Sequence, residues 1–176
     1  RLAEKNAPGS HGYMPNAGYP SVRAKIAEQL RRDTGVAFTA ESVVMTVGCA
    51  GAMNTALKAI LDPGDEVLVL MPFFPDYQFY IGNHGGRMVP VETKEDFSLD
   101  VAAVESKITP KTRAILLNSP NNPTGAIYSA GQLRGLEAVL RRADHTIVVI
   151  SDEPYKHFVY DGGKAPEIAS HLSNCI

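Results

Sequence analysis

Short apolar runs alternate along the chain with stretches whose apolar residues recur every three or four positions. Val67 to Leu70 and Ala114 to Leu117 are unbroken apolar runs of strand length, and Thr146 to Ile150, apolar after its threonine, predicts a further strand. Runs without polar alternation read as strands covered on both faces. Val43 to Val47 has the same character and predicts a buried strand leading directly into Gly48, and Arg87 to Val91 predicts a further strand. Between them lie helical stripes. Pro20 and Ser21 open a helix in which Val22, Ile26 and Leu30 share a face and Gly35 supplies the stop. A second helix runs from the glycines at 48 and 51 to Leu61, and a short one ends near Asn83. A fourth follows Leu99, Val101, Val104 and Ile108, and the last starts from Ser129 as N-cap and ends near Ala143. Arg1 to Glu4 read as the tail of a helix. After Tyr155 no further βα unit is legible.

Strands alternating with helices of this length predict a three-layer α/β/α architecture around a mainly parallel, doubly wound sheet. Residues 1–19, rich in Gly and Pro, form a loop segment, and residues 20–176 read as a partial domain with an incomplete sheet. In such sheets ligands bind outside the carboxyl ends of the strands. Attention therefore falls on the octet Asn118-Ser-Pro-Asn-Asn-Pro-Thr-Gly125, which follows the apolar run ending at Leu117. Pro120 and Pro123 forbid helix and hold Asn122 in a stiff loop. Gly48 to Ala52 is a second such place, a strand-to-helix turn of glycine and small residues. That turn can cradle a phosphate on backbone N–H groups or serve tight packing alone. Asp152 ends the last apolar run at the same edge. By itself it reads as the cap of a following helix, and as a buried carboxylate it requires a partner.

Composition narrows the function classes. With 44% hydrophobic residues in 176 the chain can bury a core, and 17 basic against 19 acidic residues, a net charge of -2, leave no basic patch for nucleic acid. Small molecules or a second copy of the chain are the expected partners. Cys49 and Cys175 have no metal-ligand spacing, which fits a reduced, cytoplasmic setting, and the longest apolar run, Val67 to Phe74, is too short to cross a bilayer.

The octet, together with Tyr13 to Arg23, Thr46 to Asn54, Asp62 to Tyr77 and Ser151 to Tyr155, in this order, resembles the class I/II aminotransferases of fold type I, enzymes dependent on pyridoxal 5'-phosphate (PLP). The resemblance covers nearly the whole chain. It implies that the N–H groups of Cys49, Ala50 and Gly51 receive the cofactor's phosphate, although Ala50 and Gly51 offer no hydroxyl to help. It implies that Phe74, chosen over the core candidate Phe73 by the Pro-x-aromatic-x-x-Tyr pattern, stacks on the pyridine. Asp152 would hold the protonated pyridine nitrogen and keep the ring able to take up electrons when the substrate's α-proton leaves. Asn122 and Tyr155 would address the phenolic oxygen. Tyr13, in Tyr-x4-Gly-x4-Arg, would reach the phosphate of a partner subunit, making a homodimer.

The family's Schiff-base lysine follows a further strand, in a Ser-rich context that neither Lys156 nor Lys164 matches; both read as exposed charges. The resemblance therefore places that lysine beyond Ile176, and the chain alone is expected to be inactive. The parent reads as an aminotransferase acting on an amino acid and a 2-oxo acid. A fold type I lyase or synthase, or a PLP-sensing domain of a transcriptional regulator, would share these motifs. The same resemblance separates the Val43 strand from its sheet neighbours and predicts that it is displaced or paired with another chain.

Overall fold

The computed structural model describes residues 12–176, so the helix tail expected at Arg1 to Glu4 lies outside the described residues. The chain divides into two compact units between Thr46 and Val47.

In the first unit, α1 (Pro20–Thr34) starts with proline in its first turn and stops at Gly35, whose left-handed φ of 73° suits a residue without a Cβ. Val43 to Val47 is not a strand. Val43 is buried, but Val44 and Met45 are exposed, and Val47 just beyond the unit is 95% exposed. Strand-forming side chains alone could not hold this segment in the sheet without a neighbouring ladder. Its polar atoms are met locally: the Met45 N–H donates to the Ala17 carbonyl, and Arg23 Nε donates to the Val43 carbonyl at 2.7 Å. The expectation of a strand is not met: among the described residues the segment joins no ladder.

The second unit contains α2 (Gly48–Ile60), β1 (Glu66–Leu70), α3 (Asp76–Asn83), β2 (Arg87–Val91), α4 (Val101–Lys107), β3 (Thr112–Asn118), α5 (Ala130–Leu140) and β4 (Val148–Asp152). The four strands are parallel in the order β2-β1-β3-β4. Alternation along each strand sorts the core into two layers. Leu68, Leu70, Ile115, Leu117 and Val149 pack with Val104, Leu133 and Leu136 of α4 and α5 on one face. Val67, Val69, Leu116 and Ile150 pack with Met53, Leu57, Tyr77 and Ile81 of α2 and α3 on the other. The expected three-layer sandwich is the observed one. α5 begins where Ser129 and Gln132 cap each other reciprocally, and it ends at Leu140, a turn before Ala143.

Beyond β4, Asn174 to Ile176 return alongside it in parallel. Val149 donates to Asn174, Ile176 to Val149 and Ser151 to Ile176 through the backbone. This short ladder was not legible in the residues. Among the described residues no helix is long and apolar enough to cross a membrane.

Candidate functional site

Register places the site. Asn118, the last residue of β3, lies directly beside Asp152, the last of β4, so two polar side chains emerge together where the buried strands end. Asn118 Nδ2 donates to the Asp152 backbone carbonyl at 2.9 Å, and Asn118 Oδ1 accepts from the Asn122 N–H at 2.7 Å. One amide thus ties the octet to the adjacent strand. The octet is also bonded to itself: Asn121 Oδ1 accepts from the Thr124 N–H and hydroxyl, and the backbone closes between Asn121 and both Gly125 and Ala126. Gly125 takes a left-handed φ of 74° there. So fixed, the loop presents the Asn122 side-chain amide, which makes no hydrogen bond within the described residues.

A cavity of about 250 Å³ opens at this edge, lined by Cys49, Ala50, Phe74, Asn122, Asp152 and Tyr155, with Met53, Tyr77, Tyr80, Asn118 and Pro154 completing its wall. Six of the residues singled out in the sequence therefore converge. Gly51, one position deeper in the first turn of α2, does not line it. Tyr13 stands fully exposed in the first unit.

Asp152 is the centre of the cavity's electrostatics. It is only 8% exposed, and among the described residues no lysine, arginine or histidine pairs with it. Two neutral donors serve it instead: the Tyr77 hydroxyl on Oδ2 at 2.5 Å and the Cys49 thiol on Oδ1 at 2.8 Å. Burial, and then the hydrogen bond to Asp152 and its charge, push the Tyr77 phenol far above its usual range. The same causes in the same order push the Cys49 thiol up to about 12. Both groups stay protonated at neutral pH and act as donors. Phe74 meets Tyr77 edge to face with ring centroids 5.7 Å apart, which sets the aromatic wall.

The part played by Tyr77 was hidden in the sequence, although it closes the Pro-x-aromatic-x-x-Tyr pattern, because only the packing of α3 on the sheet brings its hydroxyl to Asp152. Asn118 was equally concealed as the octet's first letter. Among the described residues no lysine lines the cavity. Lys156 is not the exposed charge its sequence context implied: its side chain is 17% exposed, ion-paired to Glu167 and 3.7 Å from Glu153. A chain reversal after β4 turns it toward these acids, away from solvent. Lys164 is exposed as expected.

The pattern of the family "Aminotransferase class I and II" matches residues 2–176. The chain belongs to the class I and II aminotransferases. Among this family's curated members it is 44% identical over 159 residues to an aspartate/prephenate aminotransferase of Thermus thermophilus, an alignment covering 89% of this chain and 40% of that protein. It is 35% identical over 163 residues to an aspartate aminotransferase of Geobacillus stearothermophilus, covering 92% of this chain and 41% of that one. A solved amino transferase from Eubacterium rectale superposes with a TM-score of 0.91 at 34% identity, over 99% of this chain and 46% of that one. The chain thus spans about 40% of the length of these curated aminotransferases.

Proposed function

We propose that this cavity is the PLP site of an aminotransferase that moves an amino group between an amino acid and a 2-oxo acid. The observation carrying the reading is Asp152, a buried carboxylate served by two neutral donors and by no cation of the described residues. A buried anion of this kind is stabilised by a cationic partner, and a protonated pyridine nitrogen is one that fits between aromatic walls. The rest of the lining suits the same group. Phe74 offers a ring face, the Asn122 side-chain amide and the Tyr155 hydroxyl, neither hydrogen-bonded among the described residues, are donors for a phenolic oxygen, and α2 offers its N-terminal turn, at Cys49, Ala50 and Gly51, to a phosphate. Bound there, the cofactor supplies an electron-withdrawing ring that acidifies the α-carbon of an amino substrate.

The chain's own contribution is binding and orientation. Asp152 holds the ring nitrogen and its proton, Tyr77 fixes the carboxylate's rotation, and the octet keeps Asn122 aimed into the cavity. Tyr13 serves a second copy of the chain in a homodimer. Among the described residues no lysine lies in the cavity wall, so on this reading these residues hold the cofactor without covalent attachment and do not by themselves transfer amino groups.

The test is a titration of the chain with PLP, followed by absorbance near the cofactor's own band, beside Asp152→Ala. Binding that Asp152→Ala weakens at least about tenfold, equivalent to the 1.4 kcal/mol or more expected of a charge-assisted hydrogen bond, supports the reading. Equal affinity of the two proteins removes its basis. The full-length protein is then assayed for amino transfer, with aspartate as first donor because the relatives named above carry that name.

A further inference from the structure

The two donors on Asp152 are not equivalent. Tyr77 is 2% exposed, sits in the core layer formed with Met53, Leu57 and Ile81, and abuts Phe74, so its hydroxyl cannot leave Oδ2 without disturbing that packing. Cys49 is exposed, stands in the first turn of α2, and reaches Oδ1 through a side chain with a single heavy-atom rotor. A thiol is also a weak donor, whereas a cationic N–H makes a shorter and roughly twice as strong bond to a carboxylate. Oδ1 is therefore the oxygen that a competing donor in the cavity can take.

We propose that Cys49 is a displaceable partner of Asp152: its thiol holds Oδ1 and gives that oxygen up to the ring nitrogen of the cofactor. Cys49 is thereby a positioning residue whose reactivity reports on cofactor binding and whose modification opposes it. The proposal rests on the PLP reading of the cavity and adds to it the exchange of donors on one named oxygen.

The probe is pyridoxamine 5'-phosphate, which has no aldehyde to react with lysines or thiols. Iodoacetamide labelling of the intact chain is followed by peptide mass mapping, with the Cys175 peptide as internal reference. At a ligand concentration ten times its Kd, Cys49 labelling should slow about tenfold relative to Cys175. Coverage by a ligand alone would give this as well, so two variants separate the cases. Cys49→Ala, which removes the competing donor, should bind pyridoxamine 5'-phosphate more tightly than the parent chain, and Cys49→Ser, which keeps a donor, should not. Without ligand, Asp152→Asn should speed Cys49 labelling by about tenfold or more, the change in thiolate produced by lowering a thiol pKa by one. Unaltered or weaker binding by Cys49→Ala, or labelling indifferent to Asp152→Asn, overturns the proposal. Ligand binding that leaves Cys49 unprotected overturns it alone, while absence of any ligand binding overturns the cofactor reading together with it.

Discussion

Replacing Tyr77 with phenylalanine removes one hydroxyl from the wall of the cavity and nothing else of comparable size. The ring remains in the core layer between α2, α3 and the sheet, and its edge contact with Phe74 is kept. What is lost is the 2.5 Å hydrogen bond to Asp152 Oδ2, leaving a carboxylate that is 8% exposed with the Cys49 thiol as its side-chain donor. A hydrogen bond to a charged group contributes about 1.5–3 kcal/mol, and orphaning a buried acceptor costs a similar amount. The expected loss of unfolding free energy is therefore about 1.5–3 kcal/mol, or a fall in Tm of about 3–12 °C for a chain of this length. Urea denaturation followed by far-UV circular dichroism is the suitable assay, because the chain has no tryptophan. In the proposed PLP site the same variant should also weaken binding of the cofactor, since the carboxylate is then free to rotate. A loss below about 0.5 kcal/mol, the level of an ordinary surface substitution, would show that Tyr77 does not hold Asp152 in solution.

Leu136→Ala, at a fully buried position of α5 among Leu117, Leu133 and Val149, should cost about 2–5 kcal/mol and lower the urea midpoint; a cost below 1 kcal/mol would show that α5 does not pack as described. His145 bridges two acceptors, the Asp144 carboxylate at 2.6 Å and the Thr112 carbonyl at 2.7 Å, and these bonds raise its pKa above 6.5 in that order of importance. A pKa raised on folding adds stability that is fully present below the ordinary histidine value and lost as pH rises through the folded one. The urea midpoint of the parent chain relative to His145→Gln should therefore fall as pH rises above about 6.5, and a difference that stays constant as the imidazole loses its proton would refute the bridge.

Much of the fold could be read along the chain because its signals are local. Val67 to Leu70 and Ala114 to Leu117 are apolar at every position, which only a strand covered on both faces can use. Pro20, Gly35 and Ser129 mark helix ends by backbone chemistry that needs no distant partner. Val43 to Val47 shows the limit of that reading: the residues favour a strand, but strand formation requires a neighbour, and here their backbone is met instead by Ala17 and Arg23. Asn174 to Ile176 are the reverse case, three residues with no strand signature that become a ladder because β4 has an unpaired edge beside them.

The site divides in the same way. The octet's loop, the glycine turn at 48 and the strand end at Asp152 could be located by the sequence alone, since each is marked by local turn and strand chemistry. Only the tertiary structure decided that the Tyr77 phenol and the Cys49 thiol share the carboxylate of Asp152, that Asn118 ties the octet to β4, and that Lys156 turns away to Glu167. These pairings join residues tens of positions apart, and their existence depends on sheet register and helix packing, which no local pattern encodes.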